Sequence, residues 1–186
     1  MKLKSIFILF LFISVAHVSH ARGEETTLTE IMVSTTQGHL SVSFKVSNCF
    51  TEDMKAAIEN GIRTTFTFFV DLDETRDFWW DRGITNVKVS HDIHYDSLKK
   101  VYTIVMSEQS GRPVVVSDFE KAKEAMSRIS DLKVADLSTL TKGKRYQVRM
   151  MAELDKIRLP FYLHYVFFFL SLWDFKTDWY AVDFIF

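Results

Sequence analysis

Two histidines three residues apart, in the run His91-Asp92-Ile93-His94, are the first candidates for chemistry. Imidazole nitrogens bind divalent metals and exchange protons near neutral pH. Their neighbours alternate in type, with Val89, His91 and Ile93 set against Asp92, His94 and Asp96. Such alternation belongs to a strand, on which residues three apart point to opposite faces. One metal ion cannot easily take both rings, so the spacing favours a structural role for His91 and His94. The competing reading is a metal-dependent or hydrolytic enzyme that uses them with nearby carboxylates.

A second cluster is acidic and aromatic. Asp71, Asp73, Glu74, Asp77 and Asp81 surround Phe78-Trp79-Trp80. Oxygen ligands at such intervals suggest calcium, but the glycine and closing glutamate of an EF-hand loop are missing. Arg76 and Arg82 also dilute the charge. The segment reads as a hairpin loop. Its three aromatics either cover the edge of a sheet or form a binding surface of the kind tryptophan favours. No G-x-S-x-G or glycine-rich phosphate loop occurs in the sequence, so neither nucleophile-elbow hydrolysis nor phosphate cradling is indicated. Lys142-Gly143-Lys144-Arg145 reads as a solvated basic turn. These residues imply no catalytic centre, no resident metal and no cofactor.

Composition narrows the class. The 186 residues hold 23 Lys+Arg against 24 Asp+Glu, and this balance gives no basic excess for nucleic acid. A single cysteine, Cys49, excludes an internal disulfide. It ends an apolar-alternating run, which suggests a buried thiol.

Residues 1–21 read as a secretory signal peptide. Lys2 and Lys4 precede the apolar run Ile6–Ile13, and Ser19 and Ala21 provide the small residues of a cleavage site. The run is shorter than the ~20 residues a spanning helix needs. Residues 22–186 then form a single β-rich domain, exported to the periplasm or attached peripherally to the inner membrane.

Period-two alternation dominates from Leu28 to Asp155. It predicts strands at Thr29–Thr35, Leu40–Val46, Ile62–Leu72, Val87–Tyr95, Val101–Met106 and Tyr146–Leu154, with Trp179–Phe186 able to close a sheet. Thr51 should cap a short helix that ends at Asn60-Gly61. Ser117-Asp118-Phe119-Glu120 reads as a capping box for a second helix, with Phe119, Ala122, Met126 and Ile129 on one face and an end near Ser130-Asp131. About eight strands and two short helices predict an antiparallel, immunoglobulin-like β-sandwich. Its core should include Phe44, Phe66, Phe68, Val89, Ile93 and Val148.

Residues 159–173 are nearly all apolar or aromatic. A helix from Pro160 to Trp173 would reach about 21 Å, short of the ~30 Å hydrocarbon core. A buried core element is one reading. Contact with a membrane surface or a partner, through residues such as Tyr165, Phe168 and Trp173, is another.

Several stretches together carry a resemblance. They are Leu40–Val46 running into Phe50-Thr51-Glu52, Ala57–Phe68 with its Gly61-Ile62-Arg63-Thr64-Thr65-Phe66-Thr67-Phe68, Tyr95–Tyr102, Leu159-Pro160, and Trp173–Tyr180. The chain resembles a bacterial exported-protein family known as domain of unknown function 4390. The resemblance implies no catalytic residues. It implies an envelope protein as partner, with a sensor kinase as the suggested kind.

Overall fold

The structure is a computed structural model that describes residues 25–110, 112–155 and 175–186. The signal-like segment and the aromatic stretch 159–173 therefore lie outside the described residues, as do Tyr165, Phe168 and Trp173.

Among the described residues, nine strands form two antiparallel sheets. The smaller contains β1 (Thr27–Thr36), β2 (His39–Ser47) and β7 (Arg128–Asp136), in the order β1-β2-β7. The larger contains β3 (Thr64–Glu74), β4 (Arg82–Asp96), β5 (Val101–Met106), β6 (Val114–Val116), β8 (Arg145–Leu154) and β9 (Tyr180–Ile185), in the order β6-β5-β4-β3-β8-β9. Phe44 of β2 meets Phe68 of β3 edge to face, with centroids 6.0 Å apart, so the two sheets share one core. All six residues expected in the core are buried there.

Local chemistry explains the joints. Gln37 and Gly38 both have positive φ, 52° and 83°, as the two-residue turn between β1 and β2 requires. Helix α1 (Glu52–Glu59) starts where the Thr51 hydroxyl accepts from the Met54 amide. Helix α2 (Phe119–Ser127) is capped by Asp118, whose carboxylate accepts from the Lys121 amide at 3.0 Å; the expected cap one residue earlier is displaced. Both helices cover the ends of the shared core, burying Met54, Ala57 and Ile58 from α1 and Ala122 and Met126 from α2.

Helix α2 also ends earlier than its sequence suggests. Arg128 is already extended, and Ile129 belongs to β7 rather than to a helical face. Met126 and Ile129 are three residues apart across the junction, which extends the helical face by one residue too many, and a bulge then hides the alternation of β7. Asp131 sits at φ 48°, and the pairing with β2 slips between Val42 and Phe44. Buried Ile129 and Leu132 are thus three residues apart, a helical interval, although both lie on a strand.

Candidate functional site

The long hairpin of β3 and β4 carries the most exposed apolar group among the described residues. Its register closes at Glu74 opposite Arg82. Beyond that pair the chain turns through Phe78, Trp79 and Trp80, which are 94%, 80% and 80% exposed. The turn is held from within. The Arg76 amide donates to the Asp81 carboxylate at 3.1 Å, and the Thr75 amide donates to the Arg145 carbonyl at 2.9 Å. The three rings therefore do not cover a sheet edge, and the packing reading of this loop is replaced by an exposed one.

Pairing of β3 with β8 brings a second segment beside the tip. Glu74 lies opposite Tyr146, so the turn Lys142-Gly143-Lys144-Arg145 falls against the hairpin end. Sequence reading treats this basic cluster as an isolated turn, because only the register reveals its neighbour. The Glu74 carboxylate is the hub. Arg76 and Arg82 approach it at 3.8 Å and Lys144 at 4.0 Å, while Arg145 pairs with Asp77. An open cleft of about 500 Å³ runs between the aromatic loop and the basic turn, bordered by Phe78, Trp79, Lys144 and Arg145. The last strand contributes as well: Ile185 lies opposite Arg145 and is 72% exposed.

The acidic run that suggested calcium is divided by the fold. Asp71 and Asp73 share one face of β3 and both engage Arg149 of β8, at 3.3 and 2.9 Å. Asp77 and Asp81 instead serve the loop.

The histidines separate as their spacing predicts. His94 is exposed on one face of β4. His91 is fully buried on the other, its ring 4.8 Å from that of Phe68. Its Nδ1 lies 3.1 Å from the Met126 carbonyl, which can only accept, so Nδ1 carries a proton. Its Nε2 lies 2.8 Å from Glu108 Oε1, within hydrogen-bond distance. Both nitrogens are thus committed to the protein. Among the described residues, Glu108 Oε2 is buried without a partner.

Cys49 is buried as expected, and burial pushes its thiol up to about 12. It borders a pocket of about 260 Å³ with Lys45, Lys123, Glu124 and Ser127. Hydrogen bonds first from Lys45 and then from Arg128 hold the Glu124 carboxyl below its ordinary value.

One family model covers residues 23–183, nearly all of the chain, and its description is Domain of unknown function (DUF4390). The chain belongs to that family. Neither a curated protein nor a solved structure matches it. The DUF4390 match spans both helices and strands β1 to β8 and ends within β9, so the hairpin tip and the basic turn lie inside the family domain.

Proposed function

We propose that this DUF4390 chain is an exported binding module that works in the bacterial envelope by contact rather than by catalysis. The carrying observation is the β3–β4 tip, where three consecutive aromatic residues stand 80–94% exposed on a pinned turn. Monomeric proteins seldom present large rings to water in a group, and such groups commonly mark recognition surfaces. Export is supported by the signal-like pattern of residues 1–21 and by a family match that begins just after it, at residue 23. The site acts as a periplasmic or peripherally attached surface for an envelope component, an envelope protein such as a sensor kinase being the partner class that the family resemblance suggests.

The test is site-specific photo-crosslinking in intact cells. A photoreactive residue replacing Trp79 should give adducts with an envelope component, while the same residue at exposed Lys133 of β7 gives none. Equal labelling at both positions, or none at 79 and 80, rules the tip out as the working surface.

A further inference from the structure

We infer that the occupant of the hairpin tip is an anionic lipid surface, entered by Phe78, Trp79 and Trp80 and held by the basic residues around them. This rests on the tip being the binding surface and names what it binds.

Side-chain chemistry favours a headgroup layer. All three rings stand 80–94% exposed, and tryptophan, with an apolar body and one N–H donor, is suited to that depth. Ile185 adds apolar surface at the same end of the sheet, being opposite Arg145 and 72% exposed.

Charge points the same way. Arg76, Arg82, Lys142, Lys144 and Arg145 surround the tip, against Glu74, Asp77 and Asp81. The two segments that form the tip, residues 74–82 and 142–145, therefore carry a net +2 although the whole chain carries −1. Glu74 is nearly enclosed by the arginines and Lys144, while Asp77, paired with Arg145, and Asp81, accepting from the Arg76 amide, stay exposed. Arg82, Lys144 and Arg145 are 53–62% exposed beside the aromatics. Aromatic residues flanked by exposed cations are what interfacial anchors use on phosphate-bearing headgroups.

The experiment measures binding of the full exported chain to sucrose-loaded vesicles by sedimentation. Vesicles are either phosphatidylcholine alone or phosphatidylethanolamine and phosphatidylglycerol at about three to one. Two net positive charges, at roughly fivefold each, should raise partitioning about thirtyfold on the anionic vesicles. Raising salt to 1 M, where the Debye length falls to about 3 Å, should remove most of that gain. Phe78→Ala/Trp79→Ala/Trp80→Ala should lower binding to both vesicle types at least tenfold. Lys142→Glu/Lys144→Glu should abolish only the anionic preference. Circular dichroism checks that both variants fold, and comparison within one chain cancels binding by any other segment.

Vesicle binding that the aromatic triple variant leaves unchanged overturns the inference. No binding to either vesicle, with crosslinks from position 79 to a protein, also overturns it while the tip remains the binding surface. Neither vesicle binding nor crosslinking removes both readings.

Discussion

The buried pair His91–Glu108 offers a sharp test of the core. Replace His91 by leucine, which has similar volume and no polar atom. Glu108 then loses the contact at 2.8 Å, and its Oε2 has no partner among the described residues. Breaking a buried pair by removing one member costs about 3–5 kcal/mol, chiefly through the charge left behind. Glu108 keeps 15% side-chain exposure, so the low end, about 3 kcal/mol, applies. Glu108→Leu strands only Nε2, because Nδ1 keeps the Met126 carbonyl, and should cost about 1–3 kcal/mol. The double leucine variant removes both polar groups together and should lie within about 1 kcal/mol of the parent. Urea denaturation of all four proteins gives the cycle, and a coupling of at least about 2 kcal/mol is expected. In a melt, His91→Leu should lower Tm by about 6–12 °C. If the two single costs add in the double variant, the groups are not coupled and the contact between them is not a working hydrogen bond.

Phe66 is fully buried between Phe50 and Phe175, each with its centroid 5.0 Å away, so Phe66→Ala should cost about 3–5 kcal/mol in urea, and an unchanged midpoint would disprove the register. With its thiol pushed up to about 12, native Cys49 should resist aromatic disulfide reagents at pH 8 and react fully in urea. Because the folded value lies above the thiol's ordinary 9.0, its contribution to stability is intact below that pH and lost as pH rises toward 12; Cys49→Ser should flatten this alkaline limb. Glu124 is held low, so its contribution is present above its ordinary 4.5 and fades as pH falls through the lower folded value. Its side chain is 45% exposed, so Glu124→Gln should cost at most about 1 kcal/mol at pH 7 and nothing at acid pH, by urea titration at both.

Alternation made most of the sheet legible. Each strand that buries one face, such as β2 with Leu40, Val42, Phe44 and Val46 inward, declares itself in sequence. Strand β7 hid because the bulge at Asp131 gave it a helical interval. Strand β6, three residues long, offered too few positions to show any period. The site was half legible. Phe78-Trp79-Trp80 stood out by type, but their exposure depended on what the third dimension left for them to touch. The basic turn at 142–145 could not be joined to them without knowing that Glu74 faces Tyr146.

The strand order also sets the timing of assembly. β2 finds its second partner only in β7, with His39 opposite Asp136, and β3 waits for β8, with Phe66 opposite Leu154. Each closure joins residues roughly a hundred positions apart, so the entropy of a long loop is lost before either contact forms. A chain emerging from its N-terminus holds the β1–β2 hairpin early but cannot complete either sheet until most of it is out. Until then the apolar faces of β2 and β3 stand open, with edges able to pair with other chains. Slow folding, and a need for shielding while it proceeds, are written into the order of the strands.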